Sequence, residues 1–175
     1  MAEIDFISAF ARLLQDGKLR TMFAGNPLLA AEHIRLRRSD WPAWQQLVPV
    51  DVEYQATVLI HKRLDLVKFF APETCRRIGE KLWPAFSDFS HTGWPAVGSA
   101  KIQDAFHFCR HLKATGSPDI VPAEWNRLAF ALSKQTFALH WVKKTTPKHK
   151  IRPGLQLFLR RRNDRWHEVF FHFGL

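Results

Sequence analysis

The feature that most constrains this chain is a change of period near Gln135. Before it, apolar residues recur at steps of three and four, the spacing of a buried helix face. After it, "TFALHWV" sets Phe137, Leu139 and Trp141 against Ala138 and His140. That alternation suits an extended strand, whose successive side chains point to opposite faces. The order of the two patterns predicts an α+β chain: a mainly helical region over residues 1–134, then a three-stranded antiparallel β-sheet over residues 135–175.

Within the helical region, Phe6, Ile7, Phe10, Ala11, Leu13 and Leu14 mark the first helix, which Asp16-Gly17 ends. A short helix through Leu19 and Phe23 should stop at Gly25. Asn26-Pro27 then supplies a cap and a first helical position, and Ser39-Asp40-Trp41-Pro42 repeats that start signal. The longest helix is expected from about Val50 to Phe70. Ala71-Pro72 seeds the next, and Pro84, lacking an N–H, is expected to kink or divide it. Thr115-Gly116 ends a later helix and Pro122 starts the last one.

In the sheet, "LQLFLRR" and "RWHEVFFHF" flank Asn163-Asp164. A turn centred on Asn163 gathers Leu155, Leu157 and Leu159 on one face with Val169, Phe171 and Phe173. A two-residue Asn163-Asp164 turn would mix Glu168 and His172 into that face. The first register separates apolar from polar residues better and is preferred.

Bulk properties remove several function classes. Apolar residues make up 46% of the 175, with 15 Phe and 7 Trp, so a packed core rather than disorder is expected. No apolar run reaches the ~18 residues of a membrane helix, and the acid-bearing "MAEIDFISAFARLL" has no secretory pattern. Cys75 and Cys109 are too few for a disulfide framework or a structural zinc site. A cytoplasmic setting with reduced thiols is the expectation. The formal charge of +10 is concentrated in residues 135–175, which hold nine Lys and Arg against two acids. Such an excess points to an acidic partner.

"FHFCRH", residues 106–111, resembles half a metal site until it is placed on a helix. At ~100° per residue, Ile102, Ala105, Phe106, Cys109 and Leu112 share an apolar arc. Asp104, His107 and His111 share the opposite one. Two histidines at i and i+4 with a carboxylate can share a metal. The pattern is far less specific than H-E-x-x-H, however, and a solvated polar face is the preferred reading. Nucleophile-elbow, P-loop, G-x-G-x-x-G and C-x-x-C patterns are all missing from the sequence. No catalytic residue is assigned.

The sheet is the expected working surface. Its outer strands must carry backbone groups that a further extended chain can pair with. Residues Trp166 to His172 (Trp166, His167, Glu168, Val169, Phe170, Phe171, His172) are the candidate receiving strand for a peptide. Arg160, Arg161 and Arg165 are candidates for polar contacts with it, and residues 136–142 form the alternative edge. Interleaved Trp166, Phe170 and Phe171 in a basic tail leave nucleic-acid binding as the competing reading, although no helix-turn-helix or RNA-recognition signature supports it.

Two pairs of stretches carry a family resemblance. "FARLLQDGKLRTMFAGNPLLAAEHIRL" is followed by "VDVEYQATVLIHKRLDLVKFF", and "KIQDAFHFCRHLKA" by "EWNRLAFALSKQ". With the strand-rich basic tail, they resemble the MbnC-type partner proteins that accompany multinuclear non-haem iron oxidative enzymes in methanobactin biosynthesis. The resemblance implies a non-catalytic subunit in a heterodimer with an MbnB-like TIM-barrel enzyme, with residues 1–134 as the helical partner-docking region and residues 135–175 as the peptide-binding meander. It also implies binding of a precursor-peptide leader, so that core cysteines become oxazolone and thioamide groups. The iron would then belong to the partner, with no cofactor in this chain.

Overall fold

The computed structural model describes residues 2–90, 100–145, 151–161 and 165–172. The backbone order is helical as far as Leu132 and then three-stranded, as the change of period predicts. The chain forms two compact units. One comprises residues 1–63 and 87–94, the other residues 64–86 and 95–175. The division does not follow the change of period, because the sheet shares its unit with several helices.

In the first unit, α1 (Phe6–Gln15), α2 (Gly17–Gly25), α3 (Pro27–His33) and α4 (Trp41–Gln45) follow one another closely, before α5 (Pro49–Phe70) begins. The short helices are delimited by side-chain caps. Asp5 accepts from Ser8 N–H, Asp16 from Lys18 and Leu19, and Asn26 from Leu28 and Leu29. Asp40 does not cap its own helix. Its carboxylate reaches back to accept from Phe6 N–H at 3.0 Å, satisfying the first turn of α1. Ala9, Leu13, Phe23, Ala30, Ala31 and Trp44 form the heart of this unit's core. Trp44 meets Phe23 edge-on at 5.2 Å and donates its indole N–H to Pro27 O. The buried face of α1 turns on Ala9 and Leu13, whereas Ile7 and Ala11, expected to share it, are exposed.

The second unit holds α6 (Pro72–Ile78), α8 (Ala100–Ala114), α9 (Pro122–Leu132) and the sheet β1 (Phe137–Thr145), β2 (Ile151–Arg160) and β3 (Trp166–His172). The expected break at Pro84 lies elsewhere. Gly79, at φ 59°, ends α6, and a 3-10 turn leads into α7 (Leu82–Ser90). Pro84 falls in the first turn of α7, where a missing N–H leaves no intrahelical bond unmade. Gly116, at φ 75°, ends α8. Ser117 N–H bonds to Leu112 O and Gly116 N–H to Lys113 O, the paired bonds of a Schellman cap.

Three of this unit's hydrogen bonds tie α6 to α9 and the residue that precedes it. Glu124 is 5% exposed and accepts from Glu73 and Thr74 N–H, both at 2.8 Å. It thereby supplies the N-terminal cap that α6 lacks locally. Thr74 Oγ1 in turn accepts from Val121 N–H at 3.0 Å. Cys75 and Cys109 are buried in this unit as free thiols.

Candidate functional site

The sheet is antiparallel in the order β1–β2–β3. Leu155 faces Phe171 and Leu157 faces Val169, the register of a turn centred on Asn163. Asn163 itself and Phe173 lie outside the described residues. Across the other pair of strands, Phe137 faces Leu159, Leu139 faces Leu157 and Trp141 faces Leu155.

Each strand therefore has an even-numbered and an odd-numbered face, and their burial departs from simple patterning. The leucine-rich odd face is not the core. Phe137, Leu139, Trp141, Leu159, Val169 and Phe171 are between 40% and 62% exposed. Against α9 lies the even face, where Val142, Gly154, Gln156 and Phe158 are buried. Phe158 stacks on Phe130 of α9 at 4.9 Å, and Trp166 meets both rings edge-on at about 6 Å. Gly154 leaves room for the Phe170 ring, since a Cβ there would strike that ring and Phe171 O.

The polar residues of this covered face are mutually satisfied. Gln156 donates to Ala123 O and to Glu168, each at 2.8 Å, and accepts from Asn126 at 3.2 Å. Glu168 also receives both prongs of the Arg127 guanidinium, at 2.7 and 3.2 Å. A polar layer thus sits between α9 and the sheet at no cost in unmet hydrogen bonds.

These contacts sort the candidate peptide-binding residues. Trp166, Glu168 and Phe170 turn toward α9, whereas His167, Val169 and Phe171 are exposed on the other face. Glu168 is thus engaged by Arg127 and Gln156. Arg160 donates to Gln135 O at 3.1 Å and Phe130 O at 2.7 Å, so its charge sits at the C-terminus of α9. Both side chains thus hold the sheet to its helix. Arg161 and Arg165 are exposed. The His172 side chain lies outside the described residues.

Backbone direction follows from two bonds. Arg160 N–H bonds to Thr136 O and Arg161 N–H to Arg165 O, both at 2.8 Å. Bonded and non-bonded pairs alternate along an antiparallel ladder. Even residues of β2 therefore bond to β1 and odd residues to β3. On β3, Val169 and Phe171 spend their N–H groups on β2, while Trp166, Glu168 and Phe170 direct theirs to the outer side.

The metal candidates do not assemble. Asp104, expected on a solvated arc, is 4% exposed, whereas His107 and His111 are half-buried. The buried arc of α8 centres on Ala105, Phe108, Cys109 and Leu112, and Phe106 lies partly exposed against Trp125 at 4.7 Å. Among the described residues, no three His, Cys, Asp or Glu side chains form a group able to hold a metal ion. Burial, assisted by Glu124, pushes the Cys75 thiol up to about 11. Burial first, then Cys75 and Glu124, pushes Cys109 up to about 12. Neither thiol is an activated nucleophile. Beside α8, an open cleft of about 610 Å³ is lined in part by Gln103, His107, Lys134 and Arg160. Among the described residues, no helix is long and apolar enough to cross a membrane.

No protein family, curated protein or solved structure matches this chain in comparison.

Proposed function

We propose that this chain is a non-catalytic partner subunit. In this reading it forms a heterodimer with a TIM-barrel multinuclear non-haem iron enzyme and holds the leader of a ribosomal precursor peptide. The enzyme then converts core cysteines to oxazolone and thioamide groups. The observation that carries the reading is the outer strand β3, which ends the sheet with the backbone of Trp166, Glu168 and Phe170 directed outward. An extended leader adds there as a fourth strand, taking affinity from main-chain bonds. Its exposed side chains then meet Val169 and Phe171 on one face of the sheet. Tethering the leader raises the local concentration of the cysteine and orients it. The iron and its ligands belong to the partner.

Two measurements test this. Coexpression with such an enzyme should give a coeluting complex whose iron appears only when the barrel is present. A chain that elutes alone in every case overturns the reading. Strand addition is tested on the peptide, because proline at Val169 or Phe171 would break the ladder to β2 instead. N-methylation of alternate leader amides should weaken binding about tenfold or more in one phase and leave it unchanged in the other. Equal effects in both phases remove the strand-addition mechanism.

The nucleic-acid reading draws on exposed Phe137, Trp141 and Phe171 beside a basic tail. It is weakened because Trp166 and Phe170, its other stacking candidates, are turned to α9.

A further inference from the structure

On the odd face, the register places Leu139 beside Leu157 and Val169, with Phe137 and Leu159 in the row on one side and Trp141 and Phe171 in the row on the other. Three rows of three positions therefore form one block, apolar everywhere except His167. From strand and residue spacing the block covers roughly 300 Å² in projection. That is the size of a functional apolar patch rather than of scattered surface residues. It is also a suitable dry centre for an interface burying ~800 Å² per partner, with the remainder as polar rim.

The rim identifies the occupant. Continuing the odd positions beyond the block leads to Lys143 at one end and to Arg161 and Arg165 at the other, all exposed. The acid of β3, Glu168, faces α9. Among the described residues, the charges on this face are thus all positive. A second copy would gather like cations from both chains around one apolar centre. Nucleic acid would find rings only in the outer rows, at Phe137, Trp141 and Phe171, separated by a middle row of Leu139, Leu157 and Val169 that offers none, so the face is not a continuous stacking platform.

We propose that this face docks a folded protein partner through an apolar patch rimmed by Asp and Glu. The inference rests on the partner-subunit reading and deepens it, assigning the enzyme to the sheet face and the leader to the edge. It moves docking away from the helical region, residues 1–134, where the resemblance had placed it.

The test uses two designed amphipathic helices with the same leucine stripe, one flanked by glutamate and the other by lysine. Each is titrated calorimetrically into the full chain at low and high salt. The glutamate form should bind about tenfold or more tightly at low salt, and the gap should shrink as salt screens the rim. Leu139→Asp should abolish that binding, as should Trp141→Ser, while both retain the wild-type circular dichroism. Tyr54→Asp, at an exposed position on α5, should leave it unchanged. Equal affinity for both helices overturns the proposal, as does wild-type affinity in the two sheet variants. So does a concentration-dependent dimer that Leu139→Asp makes monomeric. If Leu139→Asp still coelutes with the iron enzyme, the docking surface is wrong and the partner-subunit reading stands. If wild type prefers the glutamate helix but never binds the enzyme, the surface stands and that reading fails.

Discussion

The two faces of the C-terminal sheet invert the usual assignment of polar and apolar residues. The face against α9 contains Gln156 and Glu168 and is covered, whereas the face built of Leu, Val, Phe and Trp is exposed. Polar groups are tolerated under the helix because each contact they make is reciprocated by Asn126, Arg127 or a backbone carbonyl. Apolar side chains on the other face are left exposed or half-buried within this chain. Covering is decided by complementarity to a neighbour, and the exposed face has the composition of a surface that acquires its neighbour by association.

The comparison can be broken most directly by emptying each face in turn. Phe158→Ala on the covered face should cost about 3–5 kcal/mol in urea unfolding, since it removes a fully buried ring stacked on Phe130. Removing Glu168 as Ala should cost about 2 kcal/mol, because Arg127 and Gln156 lose their shared acceptor in a partly buried layer. Gly154→Ala should cost about 1–3 kcal/mol, because its Cβ would strike the Phe171 carbonyl as well as the Phe170 ring, so the β3 backbone must shift too. At the other face, Leu139→Ala should change the stability of the isolated chain by no more than about 0.5 kcal/mol.

Near neutral pH the buried thiols give the smallest effect, and they are a control for the same unit. In the folded chain Cys75 and Cys109 keep their protons to about 11 and about 12, against an ordinary value of 9.0. The unfolded chain loses those protons first. Their contribution is therefore complete below pH 9 and falls away as pH rises toward the folded values. Unfolding midpoints should be insensitive to Cys75→Ser or Cys109→Ser in their slope between pH 7 and 8 (roughly the neutral plateau), and the alkaline fall should shrink in either variant. Both thiols should react with a disulfide reagent only after denaturation.

Much of the fold was legible locally. Asn26-Pro27 capped α3, and the odd-numbered register of β2 and β3 emerged from segregation alone. Pro84 misled because proline breaks a helix only beyond its first turn, and the glycine five residues earlier had already ended the preceding helix. The α8 wheel misplaced Asp104 because a wheel records which residues are apolar, and the buried arc is set by what packs against the helix. For the site, residues 166–172 were marked as a strand, but the roles of Arg160 and Glu168 depended on α9, some 30–40 residues away in sequence. Gly154 was the overlooked signal, since a glycine inside a strand marks close approach of another group.

By itself, the sequence determined the elements, their order and the pairing of the strands, because turns, caps and alternation act over a few residues. Only the tertiary structure decided which sheet face is covered and which N–H groups point outward. Both depend on where α9 lies and on the phase of the ladder. The polar side chains of Gln156 and Glu168 become core residues once Asn126 and Arg127 meet them, and no residue pattern within a strand carries that information.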